Sequence, residues 1–285
     1  MRMIGRYKYN LLLALVAVLW GATYGISKIC LEYTNAFTLL TVRFLVAFAV
    51  TFPFFYKRIT PLKKSEVLHS AQLGIMMFCA CLFMVLGVGS TSATNAGFLV
   101  GLSVVFIPLI QFICFRERIG LHAAFALAMS LVGICLLTLD GGMSFHGGDV
   151  FCLASAFCYG AYVVFAARFL RGANPIAIGT MQFLFIGLYA GATQLVSGGF
   201  SLPSAFDFWK WALVIGVFCT AFCFIAQSVS QQHLTPTAAG IILTLEPVSS
   251  AVFAFAALGE VMGARQIAGA LLMLAGVMWV SLKEK

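Results

Sequence analysis

Apolar residues fill this chain in long runs, interrupted by short clusters of charge, proline, glycine or asparagine. Runs of about 20 residues, each long enough to cross a hydrocarbon core of ~30 Å as a helix, recur with only short connections between them. They predict ten membrane-spanning helices, near residues 9–30, 36–56, 68–90, 92–115, 120–139, 148–168, 175–198, 208–232, 235–258 and 264–282. So much of the 285-residue chain is consumed by these spans that no soluble domain with its own core is left over. Whatever the protein does is expected to happen within the bilayer.

The runs are also duplicated. At a constant offset of 143 residues, Thr94, Ala96, Gly97, Leu102, Phe112, Glu117, Gly120, Leu131, Gly133 and Leu139 meet identical partners, from Thr237 to Leu282. At an offset of 139, Trp20-Gly21 falls on Tyr159-Gly160 and Val42-Arg43-Phe44 on Met181-Gln182-Phe183. Each half then holds five spans. An odd number forces the second half to enter the membrane in the opposite orientation, which makes an inverted repeat about an axis in the membrane plane. The expected fold is an all-α integral membrane protein of ten transmembrane helices in two inverted five-helix repeats. The repeats cover residues 1–140 and 141–285, and meet in the glycine-rich segment from Asp140 to Gly148.

Composition agrees: 62% of residues are hydrophobic and 9% charged, against roughly 25% charged in soluble domains. The net charge of +8 invites a nucleic-acid reading, but the basic residues sit at span ends. With the N-terminus in the cytoplasm, Arg2, Arg6, Lys8, Lys57, Arg58, Lys63, Lys64, Arg116, Arg118, Arg168, Arg171, Lys283 and Lys285 fall inside and only Lys210 and Arg265 outside. Adding or removing one span would scramble that split. A multi-pass protein of the cytoplasmic membrane with both termini cytoplasmic is therefore expected, and no nucleic-acid partner. The first apolar run is too long for a signal-peptide core and lacks a cleavage site, so it is expected to be retained. All nine cysteines lie in predicted helices, which argues against a disulfide framework. Cys219 and Cys223 share a helix face, where packing is the expected role, and no metal or cofactor is assigned.

The ten spans, the twin repeats, the segment LWGATYG at residues 19–25 and TPTAAGIILTLEPV at 235–248 with Gly259-Glu260 after it resemble the EamA-like transporters of the drug/metabolite transporter superfamily. That resemblance implies movement of small metabolites, often export of amino acids or related compounds, through a central cavity between the repeats. Members with and without a coupling ion are both expected.

Glu246 is the most informative residue, because an acid halfway along a span is costly and functional by default. Its repeat counterpart is Ser103, so the charge is present on one side of the duplication only. Pro247 follows it and deprives the Leu243 carbonyl of its helical bond, favouring a kink. Glu246 could hold a substrate ammonium, exchange a proton, or form a structural ion pair with Arg43, whose depth differs by about 6 Å at ~1.5 Å per residue. Trp20, Tyr24 and Lys28 form one stripe on the first span beside Gly21 and Gly25. The two rings are candidates to line the cavity, while Lys28 reads as a topology anchor. Tyr159 and Tyr162 hold the corresponding place in the second half. Asn95 and Gln227 are amides that could bond a ligand or bridge helices. The candidate substrate-binding set is thus Trp20, Tyr24, Arg43, Asn95, Tyr159, Tyr162, Gln227 and Glu246. The expected partners are a small-molecule substrate, membrane lipid, and a proton or other coupling ion. The glycine pairs Gly21/Gly25, Gly97/Gly101 and Gly187/Gly191 are expected to permit close helix contact.

An enzyme would need a constellation that is missing here: there is no HExxH, no GxSxG and no paired aspartate motif. A channel would want rings of charge or repeated filter carbonyls, which one asymmetric Glu246 does not supply. A secondary transporter working by alternating access is the leading expectation, with a proton- or cation-coupled importer as its alternative.

Overall fold

A computed structural model of the protein describes residues 2–60, 62–90, 93–138, 147–197, 202–258 and 263–283, and contains no strand among them. The helices are α1 (Arg2–Gly21), α2 (Thr23–Leu31), α3 (Ala36–Ile59), α4 (Lys64–Ser90), α5 (Ala93–Gly101), α6 (Ser103–Phe115), α7 (Leu121–Thr138), α8 (Gly147–Phe169) and α9 (Pro175–Val196). They continue with α10 (Phe206–Val214), a π-helical segment (Ile215–Phe222), α11 (Cys223–Gln231), α12 (Pro236–Leu243), α13 (Leu245–Leu258) and α14 (Ala264–Lys283). Among the described residues, six stretches are long and apolar enough to cross a membrane: Tyr7–Leu31, Ala36–Ile59, Lys64–Ser90, Gly147–Phe169, Pro175–Val196 and Phe206–Gln231. Shorter apolar helices, Leu99–Phe115, Leu121–Leu136 and Ala264–Val280, stand beside them.

The predicted spans 92–115 and 235–258 differ from expectation in being two helices each, broken at Leu102 and Thr244. At Thr244 the cause is local. Pro247 cannot donate to Leu243, and the Thr244 hydroxyl turns back to the Ile241 carbonyl at 2.6 Å. The first span is also interrupted, at Ala22, directly after Gly21. Helix starts are written in the sequence more plainly. Asn35 accepts from the Thr38 amide at 2.9 Å to cap α3, and Asn174 accepts from Ile176 and Ala177 with Pro175 at the first helical position of α9. Thr235 caps α12, again with a proline next in line. The expected boundary between halves, residues 140–148, falls mostly outside the described residues.

Packing between the halves is reciprocal. In the α7–α14 contact, a Cβ on Gly133 would meet the Gly269 carbonyl at 2.8 Å and the Met273 amide at 3.1 Å, while one on Gly276 would meet the Ala126 carbonyl and Ser130 hydroxyl, each at 3.1 Å. Those partners are related by the same 143-residue offset as the glycines themselves. Gly21 against Ser249 and Ser250 of α13 repeats as Gly160 against Phe106 and Ile107 of α6. Of the other glycines expected at close contacts, Gly101 abuts Pro247 at 3.2 Å and Gly187 abuts Leu45 at 2.7 Å, whereas nothing described lies within 4 Å of a Cβ on Gly97.

Among the described residues, large apolar side chains are exposed as well as buried, and several polar ones are buried among them. Leu11, Leu15, Phe54, Leu109, Phe112, Ile113, Leu121, Leu195 and Phe218 are exposed, while Arg43, Thr180, Gln182, Gln227, Ser230 and Gln231 are buried. Water as solvent would reward the opposite arrangement, so this surface fits hydrocarbon.

Candidate functional site

A cavity of about 60 Å³ lies where α1, α2, α3, α4, α5, α8, α11 and α13 converge, lined by Trp20, Thr23, Tyr24, Arg43, Met77, Ala80, Cys81, Met84, Val100, Ser155, Tyr159, Phe224 and Glu246. That is several times the ~10–15 Å³ one water needs. Both halves of the chain contribute, and among the described residues the only charged side chains in the lining are Arg43 and Glu246.

The helix breaks place these groups. Trp20 is the next-to-last residue of α1, and Tyr24 follows the Ala22 interruption in α2. The Trp20 indole donates to the Cys219 carbonyl at 2.8 Å, and its ring packs on Phe224 at 5.1 Å and edge-on to Tyr159 at 6.0 Å. Glu246 opens the first turn of α13, just beyond the Thr244 break. Its carboxylate faces the Tyr24 hydroxyl and stands in the field of Arg43.

Arg43 and Glu246 are not within ion-pair distance of each other. The Arg43 side chain, 2% exposed, donates from Nε to the Thr220 hydroxyl at 2.6 Å, and its Nη1 is buried with no partner. Thr220 in turn donates to the Ile215 carbonyl, five residues back, at 2.7 Å. Both residues lie in the π-helical segment, a form that is rare elsewhere and frequent at functional sites.

Of the candidates from sequence, Trp20, Tyr24, Arg43, Tyr159 and Glu246 are thus brought together on one cavity wall or another. Tyr162 and Gln227 are not in the lining and sit behind it. Gln227 donates its amide to the Tyr159 hydroxyl at 2.8 Å. Tyr162 stacks on Tyr159 at 6.0 Å and accepts from Gln182 at 3.3 Å. Asn95 lies in α5 with its side chain outside the described residues. Sequence reasoning missed Met77, Cys81 and Met84, which form a helical stripe of α4 facing the cavity, together with Thr23, Ser155 and Phe224. It also missed Thr220, which touches the site only through Arg43.

A group of polar contacts between the halves lies at the end expected to face the cytoplasm, apart from those around the cavity. Arg168 of α8 pairs with Glu117 at 2.5 Å. Gln111 of α6 donates to Glu117 at 3.2 Å and accepts from Thr237 of α12 at 2.7 Å. Glu66 of α4 accepts from the Asn174 amide at 3.0 Å, and Asn174 donates to the Arg58 carbonyl at 2.6 Å. Tyr9 stacks on His233, and His69 on Phe169.

The model of the EamA-like transporter family matches this chain twice, over residues 7–139 and 146–282. The chain belongs to the EamA-like transporter family. An uncharacterized transporter of Archaeoglobus fulgidus is 29% identical over 281 residues, spanning 98% of this chain and 88% of that protein. The uncharacterized inner membrane transporter YhbE of Escherichia coli (strain K12) is 30% identical over 132 residues, 46% of this chain and 41% of that one. A solved crystal structure superposes with a TM-score of 0.79 at 17% identity and covers 97% of each chain, a likeness of fold. As an EamA-like protein, the chain is a multi-pass integral membrane transporter.

Proposed function

We propose that this EamA-like protein is a secondary transporter of the cytoplasmic membrane. It moves a small metabolite by alternating access between two inverted five-helix repeats, most simply as an exporter of amino acids or related compounds. The observation that carries the reading is the cavity itself: an apolar pocket built from both halves, with one base and one acid facing into it. The reciprocal glycine contacts at α7–α14 and at Gly21 and Gly160 support a two-fold relation between the halves. The polar contacts gathered at the Glu117–Arg168 end support a conformer closed on the cytoplasmic side. Rocking of the repeats would exchange that closure for one at the opposite end. The basic residues support cytoplasmic termini.

In this mechanism no covalent chemistry occurs. Substrate enters between the repeats and contacts Trp20, Tyr24, Tyr159 and Glu246. Glu246 binds its ammonium or carries a coupled proton; a proton-coupled importer is the second form of the same scheme. The test is thermal stabilisation of purified protein across amino acids, purines, sugars and organic cations, with Glu246→Gln beside wild type. A ligand at ~100 times its dissociation constant stabilises the folded state by about 2.7 kcal/mol. Stabilisation by one chemical class that is lost in the variant is the expected result. Glu246→Gln protein that binds, transports and responds to pH as wild type does would remove Glu246 from both roles.

A further inference from the structure

We infer that Arg43 is an anion subsite, so that the transported molecule carries a carboxylate or similar anion in addition to the cation that suits Glu246. This rests on the transporter reading above and narrows its substrate to small two-charge molecules.

Three observations converge on Arg43. Its side chain is 2% exposed in the interior of a membrane protein, where a charge left alone is costly and is normally matched by an opposite one. The nearest acid in the lining, Glu246, is not paired with it. A guanidinium carries five N–H donors, and here the Nη1 end is buried without a partner on the wall of the cavity. The uncompensated donor therefore belongs to a side chain that lines a space a ligand can occupy.

The π-helical turn explains how that orientation is held. The Thr220 hydroxyl has a single hydrogen, and it is spent on the Ile215 carbonyl at 2.7 Å. Its lone pairs are left for Arg43 Nε at 2.6 Å. Arg43 is thus fixed by a neutral acceptor that leaves its charge intact, where a structural arginine would meet a carboxylate. The same turn accepts from Trp20 through the Cys219 carbonyl, so one π-helical segment fixes both a charged and an aromatic element of the lining. Thr220 acts here as a positioning residue. Most of the remaining wall, Met77, Met84 and Phe224 among it, is apolar, so the two charges are the strongest groups to orient a ligand.

The experiment uses purified full-length protein and matched probes. Glycine, alanine, leucine and phenylalanine are each compared with their amides, which keep only the cation, and their N-acetyl forms, which keep only the anion. In whichever series binds, the free zwitterion is expected to bind at least roughly tenfold more tightly than either single-charge form, as a charge-assisted hydrogen bond would give. Arg43→Gln should abolish the advantage of zwitterion over amide. Thr220→Val should shrink that advantage and Thr220→Ser should restore it, a pattern that loss of packing alone would not produce. The wild-type comparison needs no variant to fold. Equal binding of an amide or an N-acetyl form and its zwitterion overturns the inference. Reconstituted protein that moves the amides or methylammonium but no zwitterion overturns the subsite while leaving the transporter intact. Protein that neither binds nor moves any probe overturns both.

Discussion

Replacing Gly21 by alanine tests whether the approach of α1 to α13 beside the cavity is as close as the structure has it. A Cβ at Gly21 would lie 2.6 Å from the Ser249 hydroxyl oxygen, 2.7 Å from the Ser249 Cβ and 2.7 Å from the Ser250 backbone nitrogen. Two of those atoms cannot swing away without moving the helix. Forcing a methyl into such a gap costs about 1–3 kcal/mol. Shifting Ser249 also breaks its 2.6 Å bond to the Val18 carbonyl, worth about 0.5–1.5 kcal/mol. Helix propensity returns about 1 kcal/mol. The net loss is about 0.5–3.5 kcal/mol, and a value near 2 lowers the folded-to-unfolded ratio by roughly 30-fold. The repeat counterpart Gly160 is less crowded, with Phe106 Cβ at 3.0 Å and the Ile107 amide at 3.4 Å, and Gly191 meets Thr41 at ordinary contact distance, Cγ2 at 3.6 Å and Oγ1 at 3.9 Å. Unfolding in mixed detergent–SDS micelles, followed by circular dichroism, should therefore rank Gly21→Ala below Gly160→Ala, and Gly160→Ala below Gly191→Ala, the last being neutral or slightly stabilising. Gly21→Ala protein as stable as wild type, or a reversed order, would refute the geometry.

The two asparagine caps should separate in the same assay. Asn174→Ala loses two capping bonds and the bond to the Arg58 carbonyl, about 1.5–2.5 kcal/mol, whereas Asn35→Ala loses one cap, about 1 kcal/mol; equal losses would deny the link from α9 to the end of α3. Gln227→Leu releases the Tyr159 hydroxyl and removes a carbonyl oxygen that has no partner, so stability should stay within about 1 kcal/mol while ligand affinity falls. A variant with unchanged affinity would show that Tyr159 needs no such support. A fluorescent protein fused after Lys285 should be active and an alkaline phosphatase fusion there inactive, as cytoplasmic termini require; the opposite pair of results would invert the topology.

What could be read from the sequence depended on contrast. Glu246 and Arg43 stood out because each is a charge inside an apolar run, and Trp20 and Tyr24 because rings beside glycine form a stripe. Met77, Cys81 and Met84 follow an equally regular spacing, but an apolar face on an apolar helix carries no mark of what it faces. Pro247 announced the break before Glu246, while the interruptions at Ala22 and Leu102 have no comparable residue. The π-helical register at 215–222 leaves no trace in composition, so Thr220 could not be found before its hydroxyl was seen between Ile215 and Arg43. Tyr159 and Tyr162 are alike in sequence, and only the amides behind them separate a ring that lines the cavity from one that backs it. The 143-residue offset, in contrast, passed directly into space in the mutual fit of Gly133 and Gly276.

The central claim is that a small solute is carried through this cavity by a protein open to one side at a time. Solute counterflow in proteoliposomes tests it most directly, using a radiolabelled form of the ligand that best stabilises the purified protein, with wild type and Glu246→Gln run in parallel. Transient accumulation of label in preloaded wild-type liposomes is expected, at a rate that saturates with concentration, and a rate at least roughly tenfold lower in the variant, as loss of a charge-assisted contact would give. Label that equilibrates without overshoot, at a rate linear in concentration and equal in both proteins, would contradict it.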